Sequence, residues 1–154
     1  MTSKNSLLYL LPLLLLPALP AAQAAGAKAT ARPAPEAKAR VKNRIVFQVS
    51  DADPKKWLMT LGNARNVQAD LGEGNVELEI VVYGPAIGML KNSSEVADRV
   101  EEAVATGVRV VACENTMTTL HLTRDDMLLG IDYVKAGVVE LMRLQQAGWA
   151  YIRP

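Results

Sequence analysis

The sequence predicts an α/β protein, a three-layer α/β/α domain built on a mainly parallel sheet of about five strands. Three observations carry this. Short apolar, β-branched runs recur at 45–49, 80–83 and 108–112, nearly continuous where a half-exposed strand would alternate. Amphipathic stretches with helix start and stop residues separate them. Strand and helix then alternate along the chain, which implies right-handed crossovers and helices on both faces of the sheet.

The elements follow in order. Residues 43–50 (NRIVFQVS) form the first strand. Asp53-Pro54 supplies an N-cap followed by proline at the first helical position. The helix carries Trp57, Leu58, Leu61 and Ala64 at helical spacing and ends at Leu71-Gly72. Trp57 is expected to pack against the sheet. Residues 76–83 (VELEIVVY) form the second strand, broken by Gly84-Pro85-Ala86 and followed by a helical turn at 87–90. Ser94 caps a helix over 95–106. Its stripe of Val96, Val100, Ala103 and Val104 faces inward, and its carboxylates form a solvated surface. Gly107 closes it. The third strand, 108–112, is apolar apart from Arg109 and ends at Cys113. Asn115 and Thr116 are expected to cap a short helix at 117–122. Thr123-Arg124-Asp125-Asp126 reads as a capping box, with Asp in place of Glu. A turn at 127–129, a short strand at 131–134, a helix at 138–147 led in by Ala136-Gly137, and a last strand at 149–152 complete the domain.

The chain has 154 residues, half of them hydrophobic, enough for one domain with a proper core. The amino terminus stands apart from it. Lys4, the leucine-rich run at 7–16 and Ala22-Gln23-Ala24 have the layout of a cleavable signal peptide over 1–24. The apolar run is shorter than the ~18 residues of a spanning helix and holds Pro12, so no stable membrane span is expected after cleavage. The leader looks bacterial, which makes the periplasm the expected address. Residues 25–42, rich in Ala, Pro, Lys and Arg, read as a flexible linker to a domain at 43–154. Losing Lys4 with the leader leaves 16 basic against 16 acidic residues, so no strong field is implied. No aromatic residue interleaves the basic linker charges, and no nucleic-acid partner is expected.

One cysteine rules out an internal disulfide, a C-x-x-C motif and a cysteine-rich zinc site. A buried inert thiol, an intermolecular disulfide or a reactive thiol remain. Cys113 sits at a strand end just before a helix, on the edge where open α/β sheets bind ligands. A helix start there would favour a thiolate. Tyr83 and Gly84, at the exit of the second strand, fall on the same edge if the strands are parallel. Cys113 is the nucleophile candidate, with Tyr83, Gly84, Asn115 and Thr116 as its binding neighbours. His121, the only histidine, is the candidate assisting base, although an eight-residue separation does not establish contact and no third residue completes a triad. Asp125 and Asp126 are assigned to helix capping, and no metal site or cofactor motif is present in the sequence.

Three stretches in this order resemble one family. They are Val108-Arg-Val-Val-Ala-Cys113-Glu-Asn-Thr-Met117, Val82-Tyr-Gly-Pro-Ala86, and Ala136-Gly-Val-Val-Glu-Leu141 with Gln145-Gln-Ala-Gly-Trp-Ala-Tyr151. Together they are similar to the DsrE/DsrF-like family over 43–154. The resemblance implies assembly into homo-trimers or hexamers. In the sulfur-handling members it implies a cysteine that carries sulfur as a persulfide and exchanges it with a donor or acceptor protein. Cys113 holds that cysteine's position. The best-understood members are cytoplasmic, and the leader sets this chain apart from them. Two functions are expected from this reading: sulfane-sulfur relay on Cys113, a persulfide-type transfer, or a non-catalytic oligomeric binding module in which the cysteine is structural.

Overall fold

A computed structural model describes residues 43–154. The leader and the linker expected over 1–42 lie outside the described residues. Five strands form one sheet in the order β4-β3-β2-β1-β5, all parallel. They are β1 (Asn43–Val49), β2 (Val76–Val82), β3 (Arg109–Cys113), β4 (Asp132–Val134) and β5 (Ala150–Ile152). The helices are α1 (Pro54–Leu71), α2 (Ala97–Ala105), α3 (Glu114–Thr119) and α4 (Gly137–Gln146). Three short 3-10 segments, Glu73–Asn75, Gly84–Leu90 and Arg124–Asp126, fill the connections.

Local chemistry explains most of these boundaries. Asp53 Oδ1 accepts the Lys55 amide at 2.9 Å and Pro54 opens α1, while Gly72, at φ +84°, ends it. Trp57 is buried, with its indole N–H donating to the Asp51 carbonyl at 2.7 Å. The expected box at Thr123 is present: Asp126 Oδ2 accepts from both the amide and the hydroxyl of Thr123. The helical turn lies within that box, at Arg124–Asp126, three residues earlier than expected. Met127 instead makes an antiparallel bridge to Lys91. Ser94 Oγ accepts the Val96 amide, but the regular helix begins two residues later than that cap suggests.

The two faces of the sheet are covered unequally. Phe47, Ile80, Val110 and their neighbours on one face pack beneath α1, α2 and the 84–90 segment in the larger core. The other face has a small core of Val46, Val81, Val111 and Leu141, with Tyr83, Val134, Leu144 and Trp149 around it, and one helix over it, α4. On that face Glu79 is buried at 2% exposure. It is paired with Arg109 of the adjacent strand at 2.6 Å. Burial raises the carboxyl pKa of Glu79, and the Arg109 guanidinium pulls it back down only in part.

The packing makes a graded expectation. Ile80→Ala, at the centre of the larger core, costs about 2–5 kcal/mol. Asp53→Ala, which removes a single cap, costs about 0.5–2 kcal/mol. Urea unfolding of both variants measures the difference, and a smaller loss for Ile80→Ala than for Asp53→Ala contradicts this account of the core.

Candidate functional site

Because every strand is parallel, β1, β2 and β3 all end on one edge. Side chains alternate along β3, so Arg109, Val111 and Cys113 share the α4 face while Val110 and Ala112 enter the larger core. Cys113 therefore projects toward α4, and it is paired in register with Val134 of β4. It is 5% exposed.

The sulfur meets the start of α4 directly. The Gly137 amide, the first of that helix, donates to Sγ at 3.4 Å. Ala136 precedes it at the cap position and offers no side-chain acceptor. A sulfur 24 residues away in sequence thus receives one of the helix's free amides. At Gly137 the helix also lies close against the sheet. A Cβ there would stand 3.1 Å from Tyr83 Cβ and Cδ1 and 3.2 Å from Val81 Cγ1. A side chain there would make Tyr83 or Val81 give way by a few tenths of an ångström, so glycine suits this close approach.

The second source of contacts is α3. Cys113 itself is its N-cap residue, and the helix starts at Glu114. Asn115 and Thr116 lie inside that first turn, which corrects the expectation that they cap a helix beginning at 117. Their polar groups are engaged across the strand ends. The Asn115 amide donates to the Lys135 carbonyl at 3.1 Å, and Thr116 Oγ1 accepts the Gly84 amide at 2.9 Å. The same Thr116 hydroxyl is a donor that favours the anionic form of the sulfur. In its protonated form the thiol faces the Lys135 carbonyl at 3.9 Å, a long and weak contact.

The balance of these contacts favours the anion. Burial, the largest influence, pushes the Cys113 thiol up. Hydrogen bonds from the Thr116 hydroxyl, the Gly137 amide and the amides of Thr116 and Asn115 together outweigh it, and the thiol lies below its ordinary value. Glu114, the carboxylate nearest in sequence, is held by Arg124 at 3.1 Å, and Arg124 in turn lies 4.3 Å over the Tyr133 ring.

The structure brings Cys113, Thr116, Gly84 and the Asn115 backbone together at the strand ends, with Gly84 bonded to Thr116 and with Cys113 and Asn115 both meeting the Lys135 carbonyl. Tyr83 stands beside them against Gly137. It does not bring His121 to the sulfur. That residue is exposed, ends the α3 turn at φ +54°, and makes no hydrogen bond to Cys113. Sequence reasoning missed Gly137 and the Lys135 carbonyl. A signal was available in Ala136-Gly137, a helix start with no capping side chain of its own. A cleft of about 530 Å³ adjoins the group, lined by Gly84, Pro85, Asn115, Thr116, Thr119 and Leu120, none of them charged. Among the described residues no group of three or more His, Cys, Asp or Glu side chains is placed to hold a metal, and no helix is long and apolar enough to cross a membrane.

Comparisons with known proteins bear on this arrangement. Residues 44–154 match the model of the DsrE/DsrF-like family. A solved structure of a protein of unknown function from Methanobacterium thermoautotrophicum is 39% identical, with a TM-score of 0.70, over 73% of this chain and 100% of that one. The ychN protein from E. coli, at 13% identity and TM-score 0.60, covers 73% of this chain and 99% of its own. A conserved protein of unknown function from Bacteroides thetaiotaomicron, at 16% and 0.58, covers 73% and 95%. The last two share the fold. No curated protein matches the chain.

The site predicts its own titration. Alkylation of Cys113 by iodoacetamide should have a midpoint below that of an ordinary thiol. Thr116→Val should raise that midpoint by about one unit, the worth of one hydrogen bond to a charged group. Gly137→Ala should raise it as well. The lowered pKa also sets a sign for stability. Between the folded and the ordinary value only the unfolded chain binds the proton, so stability rises with pH across that window and the gain is lost as pH falls through the folded value. Urea unfolding of wild type and Cys113→Ser across pH should show this increment in the wild type alone.

Proposed function

We propose, from the premise that the chain belongs to the DsrE/DsrF-like family, that it carries sulfane sulfur as a persulfide on Cys113. Membership supports a role in sulfur metabolism. One observation carries the finer reading: a single thiol, at the carboxyl edge of a parallel sheet, meets the uncapped first amide of a helix and is tuned toward the thiolate.

The chemistry needs no second cysteine and no external oxidant. The Cys113 thiolate attacks the outer sulfur of a persulfide or polysulfide donor. The donor's S–S bond breaks, its inner sulfur leaves with the electron pair as a thiolate, and a new S–S bond forms on Cys113. Attack by an acceptor thiolate on that outer sulfur reverses the exchange and restores the Cys113 thiolate. The Gly137 amide and the Thr116 hydroxyl favour Cys113 as both nucleophile and leaving group. Gly84 orients the Thr116 hydroxyl, and Tyr83 walls the helix side of the site. The neutral cleft beside Thr116 is the approach for the donor. In keeping with the leader and the family resemblance, we place this activity in the periplasm, in a homo-oligomer exchanging sulfur with a partner protein.

A second reading, a non-catalytic oligomeric binding module, draws on the 5% exposure of Cys113. The two part on one measurement. Purified protein exposed to polysulfide should gain the mass of sulfur atoms, lose it to reductant and pass it to a small thiol, while Cys113→Ser gains none. An unmodified wild type with a native fold would overturn the carrier reading and leave the binding module.

A further inference from the structure

The cluster around Arg109 lies on the same face of the sheet as Cys113, and the site described above does not use it. The Arg109 guanidinium meets three carboxylates from three elements: Glu79 of β2 at 2.6 Å, Asp132 of β4 at 2.8 Å and Glu140 of α4 at 3.4 Å. Glu79 is buried, and its second oxygen has no partner. A surface ion pair between Arg109 and Asp132 alone would be of little consequence. The buried Glu79 makes the position of Arg109 expensive to change, because a shift would leave a carboxylate without compensation. Arg109 is thereby a fixed point, and Glu140 is tied to it.

Glu140 lies in the first turn of α4, three residues beyond Gly137. That turn is located by Gly137 against Tyr83 and Val81, by Leu141 in the small core, and by Glu140 on Arg109. β3 thus holds the sulfur at its end and, at its start and on the same face, the anchor of the helix whose first amide meets that sulfur.

We infer that Arg109 and Glu140 are positioning residues for Cys113, holding the first turn of α4 where the Gly137 amide reaches Sγ. The inference rests on the reading that Cys113 works as a thiolate, and it adds what keeps it one. Its test turns on a sign. Glu140 is an anion on the face that receives the thiolate. If it acted only through its field, removing it would lower the alkylation midpoint of Cys113. If it acts by position, removing it loosens the amide contact and raises the midpoint. The other charged groups on the elements packed against Cys113 are Glu114 of α3, paired with Arg124, Asp132 of β4, paired with Arg109, Lys135 in the loop after β4, and Arg143 of α4, 4.0 Å from Glu140. All stay unchanged in the test.

The experiment is the pH profile of iodoacetamide alkylation of purified protein, read by intact mass. Glu140→Ala should raise the midpoint by about 0.3–0.7 pH unit, the worth of a helix-terminus interaction. Glu140→Gln keeps an acceptor for Arg109 and should stay at or slightly below the wild-type value. The double variant Glu79→Leu with Arg109→Met replaces the buried pair by apolar side chains, leaves the net charge unchanged, and should raise the midpoint like Glu140→Ala. A midpoint that falls alike in Glu140→Ala and Glu140→Gln, or that stays at wild type in Glu140→Ala, overturns the inference. If Cys113 takes up no sulfur from polysulfide while Glu140→Ala still raises the midpoint, the carrier function fails and the positioning role stands.

Discussion

A parallel sheet must be covered on both faces, and in this chain one ten-residue helix does that for the second face. The location of α4 therefore decides two things at once. It closes the small core over Val46, Val81 and Val111, and it brings a helix start to the end of β3. The absence of a Cβ at Gly137 eases both, since an added Cβ would stand only 3.1–3.2 Å from Tyr83 and Val81. Core packing and site geometry on this face are one arrangement.

Cys113 illustrates how burial and reactivity coexist. Desolvation by itself penalises a thiolate, and a thiol this well covered would ordinarily be inert. Here several of the groups that cover it are donors. The amides of two helix starts and a threonine hydroxyl replace water around the sulfur, and their orientation is fixed by the fold. The same Thr116 hydroxyl accepts the Gly84 amide. That joins the exit of β2 to the chemistry at the exit of β3.

Much of the architecture was legible in the sequence because local chemistry writes it plainly. Pro54 after Asp53, Gly72 and the nearly continuous apolar runs place α1 and the central strands within a residue or two. The position of Cys113 at a strand end, with Thr116 and Gly84 nearby, was legible for the same reason. The start of α3 was not, because Asn115 and Thr116 are good caps by type, and their use across the strand ends depends on Lys135 and Gly84, distant in sequence. His121 drew notice as the only histidine, yet its place is a left-handed turn at the end of α3. Ala136-Gly137 marked a helix start, but its meeting with the sulfur and the Arg109 cluster were invisible to spacing and motif, because they exist only once β2, β3, β4 and α4 are brought together.

The alternation along β3 has a bearing on how this chain can change through descent. Arg109, Val111 and Cys113 share one face only because they are two residues apart. A single-residue deletion or insertion between Arg109 and Cys113 would turn the sulfur into the core beneath α1 and α2, or turn the guanidinium away from Glu79. Each substitution in this strand can be judged on its own chemistry. A change in its length moves anchor and thiol to opposite sides of the sheet together, so homologues that keep this site are constrained in strand length as well as in residue type.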